Sequence, residues 1–241
     1  MGLLDLVFGN AAKKSARLRA KVTQKYGDPT TRQKAITQLG EMKTAEAAAV
    51  LLQRFTISVE PQTTDADEKE EVFELLKDMG QTSAPAVRAF LRKSEQASSW
   101  ALRLLDTLLP TTESTQVALD ELSHLASGYT RNPEKKLVLI HFVQARTDPR
   151  IPDALLPFLD DHADDVKIAA LSALGPLKHA PAREPILALL TNTETARRVQ
   201  VAAVAALQAS GFAVQGYRER VEALLQDPFF VDRSGLVQKR A

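Results

Sequence analysis

Residues 164–175 read DDVKIAALSALG, and residues 198–209 read RVQVAAVAALQA. In the first, Val166, Ala169, Ala170, Ala173 and Leu174 recur at i, i+3, i+4, i+7 and i+8. That spacing places them on one stripe of an α-helix. In the second, Val199, Ala202, Ala203, Ala206 and Leu207 repeat the pattern 33 residues later. Alanines on a buried stripe let neighbouring helices approach closely, so the two stretches read as equivalent helices of a repeat.

The register extends backwards from Leu207 and Leu174 through Val143, Leu109, Met79 and Leu39. Gly40, Gly80 and Gly175 follow three of these anchors and Pro110 follows a fourth. Glycine there predicts a left-handed helix C-cap. A second helical stretch follows each anchor, at 46–55, 84–93, 114–126, 152–161, 182–190 and 216–226, with Pro85 and Pro152 in first turns. Each unit therefore reads as helix, short turn, helix. Units of this length in series form an α-solenoid.

DDVKIAALSALG at 164–175 and LLPFLDD at 155–161 resemble the HEAT-repeat family, in particular the short bacterial HEAT-like repeats of the phycobilisome-lyase type. The resemblance spans residues 28–227 as six units. It implies an all-α, right-handed α-α superhelix of about six helical hairpins. A tetratricopeptide reading lacks its aromatic landmarks. An armadillo reading needs a third helix for which a period near 32 leaves no room. The expected organisation is an N-terminal amphipathic cap at 1–27, the solenoid at 28–227 with an acidic link at 60–70, and a C-terminal cap or tail at 228–241.

The resemblance also implies a function. In such folds the second helices line a concave face that binds extended partners. Its exposed residues would include Arg88, Arg92, Glu121, Asp160, Asp161, Arg183, Glu184, Arg218 and Arg220. Their mixed signs fit a protein partner better than a phosphate backbone. The expectation is a non-enzymatic cytoplasmic scaffold or adaptor, monomeric, that binds another protein.

Composition supports that direction. The 241 residues carry a formal net charge of +1, without the basic excess that neutralising phosphates demands. Acids do gather at 60–80, in Glu60, Asp65, Asp67, Glu68, Glu70, Glu71, Glu74 and Asp78, which reads as a solvated face. There is no cysteine, hence no disulfide and no thiolate chemistry. Glycine-rich phosphate loops, dinucleotide fingerprints, HExxH and GxSxG are absent, so no catalytic residue, cofactor or metal is expected. His124, His141, His162 and His179 fall about one per helix, without the i, i+4 pairing of a metal site. His141, inside the apolar run LVLIHFV, reads as half-buried. Asp160, Asp161, Asp164 and Asp165 lack a calcium-loop pattern, and Asp164 or Asp165 suits an N-cap.

Two other readings stand beside the scaffold. HEAT-like alkylpurine DNA glycosylases use an aromatic residue with an Asp and an Arg in a basic groove. Trp100 and Asp106 invite the comparison, but six residues on a helix set them about 120° apart. The third reading is a peripheral membrane adaptor. Leu4, Val7, Phe8, Ala11, Ser15, Leu18, Val22 and Tyr26 share one stripe beside Lys13, Lys14, Arg17, Lys21 and Lys25. Leu3, Leu4, Val7, Phe8, Lys13, Lys14 and Arg17 would then contact a membrane or a partner, unless the stripe covers the first repeat. At the other end Phe229, Phe230, Val231 and Leu236 would fold back over the last hairpin.

Overall fold

The computed structural model describes residues 17–126, 128 and 132–240. Leu3, Leu4, Val7, Phe8, Lys13 and Lys14 lie outside the described residues, while Arg17 is exposed on a helix. Among the described residues the elements are helices apart from one short hairpin, and the chain divides into two compact units, Met1–Val117 and Ala118–Ala241.

In the first unit a helix over the described residues 17–22 (α1) buries Leu18 and Val22. Tyr26, predicted on the same stripe, lies past its end and is exposed, because the helix stops before reaching it. Asp28 then caps α2 (Pro29–Met42), accepting the Thr30 and Thr31 N–H groups at 3.1 and 3.0 Å. Such a cap satisfies backbone donors that the first turn leaves without partners. Thr44 does the same for α3 (Ala45–Leu51), which tightens into a 3₁₀ turn over Leu52–Thr56. The second hairpin is α4 (Gln62–Asp78) with α5 (Ala84–Lys93). The third is α6 (Ser98–Leu108) with α7 (Thr111–Ala126), and the unit boundary falls inside α7.

The second unit continues with α8 (Glu134–Gln144) and α9 (Ile151–Leu155), the latter extended by a 3₁₀ turn to Asp160. Next come α10 (Asp164–Leu177) with α11 (Arg183–Thr191), then α12 (Arg197–Ser210) with α13 (Arg218–Leu224). The described residues thus form six helical hairpins. Within each unit first helices pack on first helices, α2 on α4 on α6 and α8 on α10 on α12. Second helices pack likewise, α3 on α5 and α11 on α13. All six anchors, Leu39, Met79, Leu109, Val143, Leu174 and Leu207, are buried.

Five local expectations are corrected. The acidic stretch at 60–70 is not a link, since helix α4 begins at Gln62. Nor is it wholly solvated: Glu68 is 4% exposed and Asp65 is half-buried, because both meet arginines from other elements. Gly40 and Gly175 are not C-caps. They lie inside the last turns of α2 and α10, which end at left-handed Lys43 and Lys178. Gly175 is needed for closeness instead: an added Cβ would sit 3.2 Å from the Ala206 Cα of α12. Gly80 does take a left-handed φ of 54°, and Gly211, at 68°, caps α12. Asp164 and Asp165 are first-turn residues paired with Arg198, not N-caps. His141 is exposed.

The C-terminal stretch folds as strands β1 (Phe229–Val231) and β2 (Val237–Lys239), antiparallel, with Phe230 opposite Gln238. Asp232 shapes the turn by accepting the Ser234 and Leu236 N–H groups at 2.8 and 3.0 Å. Hydrogen bonds led by the Ser234 hydroxyl hold its carboxyl below the usual carboxylate range. Val237 is buried and β2 packs on α12. Phe229, Phe230, Val231 and Leu236 are each half-buried.

Candidate functional site

The second helices of the first unit enclose an open groove of about 450 Å³. Its floor comes from two facing stripes. Ala86, Ala89, Phe90 and Lys93 recur at i, i+3, i+4 and i+7 on α5, while Ala49, Val50, Leu52 and Gln53 come from α3 and its 3₁₀ turn. Arg19 of α1 and Ser94 complete the lining. Ala49 and Ala89 are exposed, and Phe90 and Leu52 are buried beneath them. Small side chains above a packed layer leave a shallow apolar trough. Its rim carries the cations Arg19 and Lys93, both exposed and neither in an ion pair among the described residues, and no carboxylate lines it.

Behind the groove lies the most heavily charged interior of the unit. Arg32 of α2 donates to Glu68 of α4 through Nε at 2.6 Å and Nη2 at 2.8 Å, and its Nη1 donates to the Gln24 carbonyl at 3.1 Å. Arg54, 0% exposed, donates to the same Glu68 at 2.8 Å and to Asp65 at 2.7 Å. Asp65 also accepts the Val59 N–H at 3.0 Å and Lys69 Nζ at 2.7 Å. Partial burial pushes the Asp65 carboxyl upward, but hydrogen bonds from Lys69, Arg54 and Val59 outweigh it and hold the group below its ordinary value. The network fixes the chain leaving α1, and the 3₁₀ turn that floors the groove, to α2 and α4. Charges this deeply buried persist only when paired and hydrogen-bonded.

The predicted contact residues separate into groups. Arg88 is exposed and pairs with Glu113 at 3.3 Å, and Arg92 is exposed on the same helix. Neither lines the groove, although their helix does. Glu121 and Asp161 are buried. Glu121, at 3% exposure, pairs with Lys135 at 2.7 Å, and Asp161 pairs with Lys136 at 2.6 Å. Both lysines sit on the inward side of α8, so these acids belong to the interior of the second unit. Asp160 is exposed.

Arg183, Glu184 and Arg220 converge on Tyr217. The Tyr217 hydroxyl donates to Glu184 at 3.0 Å, which raises its pKa above the ordinary value, and Arg220 lies 4.6 Å over its ring. Arg183 is half-buried and tied to the Ala213 and Gln215 carbonyls at 2.8 and 2.7 Å. Arg218 pairs with Glu222 at 2.8 Å. These residues hold one another more than they present a surface.

Trp100 stacks on Phe55, with centroids 4.8 Å apart, and lies near Phe73 and Arg103. The Asp106 carboxylate accepts from the Ser114 hydroxyl at 2.9 Å. The ring is committed to packing and the acid to the Ser114 hydroxyl, so the pair does not form a base-binding site. No cluster of three or more His, Asp or Glu side chains able to hold a metal occurs among the described residues. No helix among them is long and apolar enough to cross a membrane.

No protein-family model and no curated protein matches this chain. Among solved structures, human deoxyhypusine hydroxylase in complex with glycerol is similar to it, with a TM-score of 0.37 and 14% identity, covering 91% of this chain and 97% of that one. The expectation that the chain is not an enzyme is corrected here, because the solved protein it matches is a hydroxylase. A likeness this distant assigns no reaction to the present chain.

Proposed function

We propose that this chain is a HEAT-like helical-repeat protein that binds a protein partner across its second helices, at the α3–α5 groove of the first unit. The observation that carries the reading is the groove itself: an apolar trough of about 450 Å³ between two equivalent helices, shallow because alanines line it. A trough with exposed Ala49 and Ala89 and buried Phe90 gives a partner side chain apolar area to cover without disturbing the core. Such area contributes about 25 cal/mol per Å² removed from water. A site for a small molecule is usually a deeper pocket that encloses most of its ligand.

The test is affinity capture from the source organism with wild type and with Ala49→Trp/Ala89→Trp, each candidate then being rebuilt from purified components. Both substitutions fall on exposed positions and fill the trough. The reading expects a partner that wild type binds directly and the double variant loses, with unchanged melting behaviour. Equal direct binding by both proteins would remove the groove from the account.

A further inference from the structure

We infer that the element seated in the α3–α5 groove is an acidic amphipathic helix, an inference that rests on the groove being the partner site. Charge supplies the first argument. Arg19 and Lys93 stand at the rim without ion pairs among the described residues, and none of the ten lining residues is acidic. Elsewhere in the unit Arg32, Arg54, Lys69, Lys77, Arg88 and Arg103 each meet a carboxylate within 3.3 Å, and Arg17, Lys21, Lys34 and Lys43, which like the rim pair have no ion pair among the described residues, do not line the groove. The rim cations are therefore exposed charges placed beside apolar surface. A partner that covers the apolar floor brings its own flanking groups next to them. Carboxylates there gain attraction, and lysines are repelled.

Shape supplies the second argument. From Ala86 to Lys93 the α5 stripe runs two helical turns, about 10 Å. The facing stripe of Ala49, Val50, Leu52 and Gln53 runs alongside it. Alanine walls allow a third helix to approach at the short end of the usual 8–10 Å interaxial distance. The matching ligand presents small or branched apolar residues at i, i+3 or i+4 and i+7, the pattern of helix-in-groove recognition. Another pocket of the unit, lined by Asp67, Glu68 and Glu71 with Lys34, has the opposite character and would repel the same ligand.

Two labelled synthetic peptides test the inference. Both are 16-residue helices with one leucine–alanine face; one carries glutamates flanking that face and the other lysines. Fluorescence anisotropy against the full chain is expected to show the glutamate peptide binding about tenfold tighter or more. The preference should shrink at high salt and reverse in Arg19→Glu/Lys93→Glu, whose substitutions alter only exposed side chains. Equal affinities, or a preference unmoved by charge reversal, overturn the acidic partner. If Ala49→Trp/Ala89→Trp meanwhile abolishes binding of both peptides, the groove survives and only its charge preference falls. If that variant binds both peptides as wild type does, the groove reading falls as well.

Discussion

In the first unit α2 and α4 meet across Arg32, Glu68 and Arg54, whereas in the second α10 and α12 meet across Gly175, Ala206 and Ala209. The repeat is the same, but the cohesion differs. The first unit uses directed charge: one buried glutamate shared by two arginines, one of which also holds the backbone leaving α1. The second uses proximity: a Cβ added at Gly175 would lie 3.2–3.4 Å from the Ala206 backbone and the Ala209 methyl group. Its buried charges, Lys135 with Glu121 and Lys136 with Asp161, are separate pairs. Directed charge fixes a register and an orientation but gives modest net stability, because desolvation offsets much of the attraction. Close packing gives stability and tolerates no added volume.

Removing one member of the network should have the largest effect. Glu68→Gln leaves two buried guanidinium groups short of their shared counter-charge and is expected to cost about 3–5 kcal/mol in urea unfolding. Replacing Arg32, Arg54 and Glu68 together by apolar residues should cost less than that single change. If Glu68→Gln proved silent, the contrast between the units would collapse.

The second unit should answer to volume. Gly175→Val forces side-chain atoms against Ala206 and is expected to cost about 1–3 kcal/mol. Gly40→Ala in the first unit first meets the Leu75 side chain, at 2.6 Å, whose flexible end can move aside, and should cost less. Equal losses at the two glycines would show that close approach is not what distinguishes α10 and α12.

The smallest effect concerns pH. Hydrogen bonds from the Arg150 side chain and N–H lower the Asp148 carboxyl to about 2, from an ordinary 3.8. Its contribution is complete above the ordinary value and is lost as pH falls through about 2. Arg150 is exposed and Asp148 half-buried, so solvent screens the pair and the effect is small. Asp148→Asn should flatten the acid limb of the stability curve in that window alone. Acid titration followed by circular dichroism checks it, and a change near neutral pH would contradict the assignment.

The repeat was legible because its signal is local. Val166 to Leu174 and Val199 to Leu207 carry their helical period within nine residues each, and the six anchors are all buried. The buried charges were hidden because their partners are distant: Glu68 lies 36 residues from Arg32 and 14 from Arg54. One local sign was available. Arg32, Ala35, Ile36 and Leu39 are spaced as one stripe, as are Lys136, Leu139, Ile140 and Val143, so a cation occupies an inward position in both. Surface charge alone misplaced Glu121 and Asp161 for the same reason. The β-hairpin escaped because a strand of three residues is too short to show alternation. The groove escaped because alanine is equally common where a helix is buried and where it leaves room.

The most direct measurement is hydrogen–deuterium exchange of the full chain with and without the glutamate-flanked peptide. Protection concentrated at residues 45–56 and 84–94 is the predicted result. Protection that falls instead on α10 to α13, with those two stretches unchanged, would contradict a binding face built from α3 and α5.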